Sequence, residues 1–202
     1  MPIQWGMSQP VLVVIGPSAS GKSTAVRELH RRGIAHVHPT WTTRPRRPDE
    51  SDGALEHRFV TDAVFDELEA ADFFLGTVGL PGLPYRYALP RVTRHGNGPI
   101  DTIMARAPFV DLFAPYFPDR LVYEIEDTLD RAQRRLVQRG SDAHEIDARL
   151  AGHHAEIEAG RRIASRCFVN AGTLDELVGA ITAALRVDVW ATSAARSEAK
   201  SA

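Results

Sequence analysis

Cysteine and long apolar runs are scarce in this sequence of 202 residues. Its single cysteine, Cys167, excludes an internal disulfide and suits a reducing compartment. No apolar run approaches the roughly 20 residues that span a bilayer. The first nine residues, 1–9, form an extension that lacks the basic and apolar regions of a signal peptide. The sequence therefore predicts a cytoplasmic protein with no membrane partner.

An excess of charge of one sign is also missing. The chain carries 24 Lys and Arg residues against 26 Asp and Glu residues, so its net charge is −2. We therefore expect no nucleic-acid partner, because general nucleic-acid binders are markedly basic. Apolar residues make up 44% of the chain, enough for one compact domain over 10–189. The Ser-, Ala- and Lys-containing stretch 190–202 is predicted to be a disordered tail. A monomer and a homodimer both remain open.

Apolar strand patterns alternate with amphipathic helix patterns along the chain. Short β-branched or apolar runs predict strands at 10–15, 34–37, 73–78, 100–104, 120–125 and 166–169. Periodic apolar positions predict helices that begin near 22, 61, 129, 142 and 173, and the fourth is predicted to run without a break to 163. This order indicates an α/β fold, a three-layer sandwich with a mainly parallel sheet.

A phosphate-binding loop follows the first predicted strand. Residues 16–23 match G-x-x-x-x-G-K-[ST] in full, between a buried strand and an amphipathic helix. Such a loop turns backbone N–H groups and a helix N-terminus towards the phosphates of ATP. Lys22 supplies a catalytic charge, and the hydroxyl of Ser23 is a predicted Mg²⁺ ligand. The predicted ATP-binding residues are Gly16, Pro17, Ser18, Ala19, Ser20, Gly21, Lys22, Ser23 and Thr24.

An arginine-rich segment without helical periodicity occupies 40–48. Arg44 and Arg47 are spaced so that they could grip one phosphate group through paired hydrogen bonds. A solvated basic loop is the alternative interpretation. The position directly after the second predicted strand favours a phosphate site, because small P-loop kinases bind their acceptor there.

Several motifs in order resemble those of the guanylate kinase family. Besides the phosphate loop and the segment 40–48, they are 87–90, 135–140, 146–150 and 169–170. The resemblance implies a nucleoside monophosphate kinase-like P-loop fold, an acceptor region at 38–92 and a lid at 128–160. It implies that ATP with Mg²⁺ is the donor and a small phosphorylated molecule the acceptor. It also assigns acceptor binding to Thr40, Arg44, Arg47, His57 and Tyr87, lid catalysis to Arg139 and Arg149, and a place near adenine to Asn170.

The sequence departs from the guanylate kinase pattern where the family reads the base. Phe74-Leu75 is followed by Gly76 rather than glutamate, and residues 103–106 lack the expected aspartate, for which Asp101 is an uncertain substitute. Losing both acids removes the hydrogen-bond acceptors for guanine. In these departures the chain resembles ribose 1,5-bisphosphate phosphokinases, and ribose 1,5-bisphosphate is the acceptor that the sequence favours. Guanylate kinase activity and a non-catalytic nucleotide-binding module are the alternatives.

Two further features are predicted to carry no chemistry. The adjacent His153 and His154 point to different helix faces, so they do not form a metal site. Cys167 lies in a short apolar segment and is predicted to belong to the core.

Overall fold

The computed structural model describes residues 9–46, 50, 55–79, 82–92, 94–95 and 98–199. The strands are β1 (Leu12–Ile15), β2 (Ala35–His38), β3 (Thr40–Thr42), β4 (His57–Phe59), β5 (Phe74–Gly79), β6 (Arg86–Pro90), β7 (Ile100–Met104), β8 (Leu121–Glu126) and β9 (Arg166–Val169). The helices are α1 (Lys22–Arg31), α2 (Asp62–Ala70), α3 (Val110–Phe113), α4 (Leu129–Gln138), α5 (Ala143–Leu150), α6 (His153–Ile163) and α7 (Leu174–Ala199). Two 3₁₀ turns, Ala107–Phe109 and Ala114–Tyr116, flank α3.

A parallel five-stranded sheet in the order β2-β7-β1-β8-β9 forms the centre of the fold. Its middle strand β1 is buried throughout, and its side chains alternate between two apolar clusters. Leu12 and Val14 pack with α1 and α7 on one side of the sheet, whereas Val13 and Ile15 pack with Val110 of α3 on the other. Burial on both faces is why the strand is apolar without alternation. The predicted three-layer α/β fold is confirmed.

A second sheet, in the order β4-β3-β6-β5, is inserted between β2 and β7. Strand β3 pairs with β4 in parallel and with β6 in antiparallel orientation. Its own small core consists of Phe65, Phe74 and Ala88, with Trp41 packed against them. We call it the acceptor sheet, because it carries most of the residues that the sequence assigned to acceptor binding.

The predicted helix over 142–163 is in fact two helices, α5 and α6. Asp142 caps α5 by accepting a hydrogen bond from the backbone N–H of Glu145, and α5 ends at Leu150. Gly152 then adopts a non-helical conformation before α6 begins. Glycine has a low helix propensity, and apolar periodicity alone does not reveal a break of two residues.

The last helix, α7, continues to Ala199, so the predicted disordered tail is wrong as far as that residue. Val189, the last residue of the predicted domain, is buried against the core. The hydroxyls of Thr192 and Ser193 donate to the carbonyl oxygens one turn earlier, at 2.8 and 2.9 Å. These contacts and alanine's high helix propensity extend a helix whose composition suggested disorder. Residues 200–202 lie outside the described part of the chain.

Part of α7 also meets the length and composition of a membrane-spanning helix, which the sequence analysis did not anticipate. Residues Leu174–Ala194 have a mean hydropathy of 1.2. One face of this stretch packs into the main core through Leu177, Val178, Ile181 and Leu185. Core helices of soluble proteins can pass the same length and composition test, and 28% of this window is buried inside the fold.

Cys167 is exposed rather than part of the core. It lies on β9, which is the edge strand of the central sheet. An edge strand has one neighbour instead of two, so its side chains are covered less completely. The thiol donates to Oε2 of Glu124 on the adjacent strand at 3.8 Å.

Candidate active site

The phosphate loop leaves the carboxyl end of β1 in the middle of the central sheet. Gly16 has φ of 140°, and a Cβ atom there would lie 2.2 Å from the carbonyl oxygen of Ile125. Gly21 has φ of 103°, and its Cβ would lie 2.3 Å from Nδ2 of Asn170. Both positions therefore require glycine. The carboxyl edge of a parallel sheet is also where α/β proteins bind their ligands.

The loop residues present a cradle for a polyphosphate. Ser18, Ala19, Lys22 and Ser23 line one pocket, at the N-terminus of α1. The hydroxyl of Ser20 is buried and has no hydrogen-bond partner among the described residues. A helix N-terminus and an unsatisfied buried hydroxyl fit a ligand rich in oxygen atoms, as ATP is. Thr24 is exposed on the outer side of α1.

The Lys22 ammonium group contacts the backbone at the start of the loop. Its Nζ donates to the carbonyl oxygens of Gly16 and Pro17, at 2.5 and 2.8 Å. Burial lowers the pKa of Lys22 from 10.5 to about 8, and the nearby guanidinium group of Arg106 lowers it as well. The carboxylate of Glu156 opposes this shift. A phosphate bound here would restore the full positive charge, because an anion stabilises the protonated amine.

Two side chains from outside the loop donate hydrogen bonds to its carbonyl oxygens, those of Asn170 and Arg135. Asn170 donates through Nδ2 to the carbonyl oxygen of Ser20 at 2.8 Å. Arg135 of α4 donates to the carbonyl oxygen of Ala19 at 2.8 Å and also to a carboxylate oxygen of Asp127. Asn170 thus lies against the loop, whereas its place near adenine stays a prediction. The sequence analysis included Arg135 in the motif 135–140 and assigned it no role.

The acceptor sheet brings four of the five predicted acceptor residues to the same pocket. These are Thr40, Arg44, His57 and Tyr87. The Thr40 hydroxyl and Nδ1 of His57 share a hydrogen bond of 2.8 Å between β3 and β4. The fifth residue, Arg47, lies outside the described residues, so its predicted part in a phosphate fork is untested.

Arg44 is almost fully buried and remains charged. Its Nη2 donates to Oε1 of Glu50 at 2.7 Å, and its guanidinium lies 5.1 Å from the ring centroid of Phe59. Burial lowers the pKa of Arg44, but the hydrogen bonds to Glu50 and Tyr87 outweigh burial and leave the pKa above its ordinary value. A buried, fixed guanidinium suits the two oxygens of one phosphate group.

Arg106 is a second site residue that the sequence analysis missed. It follows β7, lines the pocket and donates through Nε to both carboxylate oxygens of Glu156, at 2.8 and 2.9 Å. Glu156 is buried on α6, so the pair fixes the guanidinium beside the phosphate loop. A sequence motif could not reveal this arrangement, because the two residues are 50 positions apart.

The two predicted lid arginines reach the same pocket from the helices beyond β8. Arg139 directly follows the last residue of α4, and Arg149 lies within α5. Both line the pocket. Arg149 is buried and forms an ion pair of 2.7 Å with Glu145 one turn earlier. Positive charges on this side suit the equatorial oxygens of a transferring phosphoryl group.

The rest of the pocket wall is apolar. It consists of Leu75, Gly76, Val78, Ala88, Leu89, Ile103, Met104, Ala105, Phe109, Leu112, Phe113 and Leu136. Among the described residues that line the pocket, none carries a carboxylate. Asp101, the uncertain substitute, instead accepts hydrogen bonds from His38 and His95 and is not part of the lining.

The chain is similar to bacterial guanylate kinases over most of its length. It is 36% identical to the guanylate kinase of Thermobifida fusca over 174 residues, which cover 79% of this chain and 85% of the relative. The chain belongs to the guanylate kinase family. The Mycobacterium leprae guanylate kinase is 33% identical over 192 residues, with 85% and 87% covered. No protein-family model matches the chain.

A solved structure agrees with this family membership. The guanylate kinase of Anaplasma phagocytophilum matches with a TM-score of 0.69 at 19% identity, covering 93% of this chain and 88% of the other. At that identity the likeness supports the fold alone. The predictions of a guanylate kinase-like P-loop fold and of an ATP-dependent phosphotransferase are therefore confirmed.

Proposed function

We propose that this chain transfers the γ-phosphoryl group of ATP to the phosphate of a nucleoside monophosphate, with GMP as the first candidate. One observation carries the proposal. A single pocket joins the phosphate loop to the acceptor sheet, so Lys22 and Arg44 line the same space. In-line transfer between two phosphates needs donor and acceptor groups held together in this way.

The residues have distinct parts in the proposed reaction. The loop amides and Lys22 would hold the β- and γ-phosphates, and Ser23 would ligate Mg²⁺, which neutralises developing charge on the phosphate oxygens. Arg44, with Tyr87, would orient the acceptor phosphate. Arg139 and Arg149 would stabilise the charge on the transferring group and exclude water, which suppresses ATP hydrolysis.

The acceptor is chosen from the relatives, which are named guanylate kinases. They give no support to ribose 1,5-bisphosphate, the acceptor that the sequence departures favoured. One observation still keeps a sugar phosphate as the second candidate: no described residue lining the pocket is a carboxylate that could accept from guanine. The apolar wall offers ribose hydroxyls few partners as well, so GMP remains first.

The deciding experiment compares specificity constants for GMP, AMP and ribose 1,5-bisphosphate. We expect turnover of GMP, with discrimination against AMP below the 10⁴- to 10⁵-fold or so that a site built to pair a base can reach. Turnover of ribose 1,5-bisphosphate without any nucleoside monophosphate would reject the proposal and favour the second candidate. ATP binding without turnover of any acceptor would instead favour a non-catalytic module.

Gly76→Glu provides the matched test of base recognition. A Cβ atom at Gly76 would meet Leu112 at 3.5 Å, an ordinary contact, so the variant should fold. The new carboxylate should raise the preference for GMP over AMP and lower any use of a baseless sugar phosphate, because it would be desolvated there without a partner. Gly76→Gln is the neutral control. An unchanged GMP to AMP ratio would show that Gly76 does not face the base.

Compartment, assembly and other partners are proposals too. We propose a cytoplasmic enzyme that acts on small molecules without nucleic acid or membrane partners.

A further inference from the structure

Three histidines and one aspartate form a compact cluster outside the active-site pocket. They are His36 and His38 of β2, Asp101 of β7 and His95 of the connection before β7. Their ligand atoms all lie within 4.8 Å of one another. Three of the chain's eight histidines therefore meet at one carboxylate.

The sheet register explains why these side chains converge. His36 is the Cα partner of Asp101 across the parallel pair of β2 and β7. Side chains two residues apart on a strand share a face, so His38 lies beside His36. Asp101 accepts from Nε2 of His38 at 2.8 Å and from Nδ1 of His95 at 2.9 Å. The backbone N–H of His95 donates to the other Asp101 oxygen at 2.9 Å.

The hydrogen bonds within the cluster leave imidazole nitrogen atoms available to bind a metal ion. The His36 ring contacts the rings of His95 and His38, with centroids 4.0 and 5.0 Å away. It makes no hydrogen bond to any residue in the described part of the chain. Each neutral imidazole has one nitrogen lone pair that can coordinate a metal.

We propose that His36, His38, His95 and Asp101 form a zinc site. Three imidazole nitrogens and one carboxylate oxygen are a preferred ligand set for Zn²⁺, and four protein ligands are typical of a structural site. Tetrahedral bonds of about 2.0–2.1 Å separate ligand atoms by roughly 3.3 Å. The two hydrogen-bonded pairs here are 2.8 and 2.9 Å apart, and all four ligand atoms lie within 4.8 Å of one another, so small side-chain movements would complete the coordination.

The site lies where the chain leaves the central sheet and returns to it. The acceptor sheet begins at Thr40, directly after the His38 strand, and the chain comes back through His95 to Asp101. A bound ion would tie β2, β7 and the connection before β7 to one another. Its role is therefore to stabilise the fold, distinct from the Mg²⁺ proposed at Ser23.

Metal binding by the untagged full-length chain tests this proposal. Equilibrium dialysis against Zn²⁺, with Mg²⁺ in excess to occupy oxygen-ligand sites, should give one Zn²⁺ per chain. Co²⁺ should give the visible spectrum of tetrahedral coordination. Zinc should also raise the melting temperature of the wild type, because an ion that binds only the folded state stabilises it.

Variants assign the bound ion to this cluster. His95→Ala, at a half-exposed position, and Asp101→Asn should each weaken zinc binding by more than about 100-fold, since even residues that only support a metal ligand cost 10- to 100-fold. His144→Ala, an exposed histidine elsewhere, should bind like the wild type. Cys167→Ser should also bind normally, and it tests the second group, Glu124, Glu126 and Cys167. The proposal is overturned if no stoichiometric zinc binds, if both cluster variants retain it, or if Cys167→Ser abolishes it.

Discussion

Lys22 is the residue whose protonation most directly affects nucleotide binding. Its pKa of about 8 in the free protein means that a growing fraction is neutral above that pH. Because phosphates prefer the protonated amine, the dissociation constant of ATP should rise by up to about tenfold per pH unit above 8. Titrations between about pH 7 and pH 10 measure this. Lys22→Arg, which stays protonated, should show a flat curve over the same range. An equal rise in both proteins would assign the pH effect to another group.

Arg44 should affect the acceptor much more than the nucleotide. Arg44→Ala removes a charge-assisted contact worth roughly 1.5–3 kcal/mol, so the specificity constant for GMP should fall about 10- to 150-fold. The dissociation constant of ATP should change little. Arg91→Ala is the control, because Arg91 is a half-exposed arginine that follows the same sheet and is not part of the pocket lining. If melting curves show that the variant is folded, equal losses of acceptor use and ATP binding would contradict a specific role of Arg44 in binding the acceptor phosphate.

Local sequence was sufficient for some site residues and not for others. The phosphate loop could be predicted because its eight residues are contiguous, the strand before it is continuously apolar and the helix after it is amphipathic. Thr40 and His57 came from the family resemblance, and the structure places them in one pocket. Arg106 and Arg135 could not be found in this way, because each depends on partners brought close only by folding. The His36 cluster was missed for the same reason, although the His-x-His spacing on a strand was visible.

Among the elements, the contact of β8 with α6 makes stability depend on pH. The Glu124 side chain is buried against Gly160, whose Cβ position would lie 2.2 Å from Oε1. Burial and the nearby Glu126 raise the pKa of Glu124 from 4.5 to about 7. The folded state therefore holds a proton that the unfolded state has lost between these values, so stability should fall as pH rises from about 5 to 7.

Glu124→Gln should remove that pH dependence. The variant's melting temperature should exceed that of the wild type at pH 8, and the difference should shrink towards pH 5. Glu158→Gln is the control, because Glu158 is an exposed residue of α6. We expect its melting curve to parallel the wild type at every pH. A wild-type slope that survives in Glu124→Gln would contradict the raised pKa.

Helix prediction succeeded where a cap or apolar stripe was clear. Thr61 and Thr128 cap α2 and α4, and the Thr173–Glu176 capping box opens α7. It failed at the Gly152 break, because a two-residue interruption hardly alters an apolar stripe. It also failed at the end of α7, where burial of Val189 overrides composition.

At the scale of the whole molecule, alternating patterns were sufficient for the fold class and not for the strand order. The sequence indicated strands and helices in turn, which is typical of parallel sheets. No local pattern indicated that β1 lies between β7 and β8 in the sheet. Nor did any indicate that β2 and β7, which pair with each other, are separated along the chain by a complete second sheet. The strand order depends on pairings between segments about 90 and 110 residues apart in the chain, such as Leu12 with Thr102 and with Leu121, which no local pattern encodes.

The inserted acceptor sheet also determines the order in which the chain can assemble during synthesis. Strand β1 has partners only in β7 and β8, so Leu12 pairs with Thr102 and Leu121. Until those residues leave the ribosome, β1 is an apolar strand with both edges unpaired, the kind of segment that chaperones protect. The β5 and β6 pair is separated by a short connection and can form early. We therefore expect the acceptor sheet to gain structure before the phosphate loop is held by its neighbouring strands.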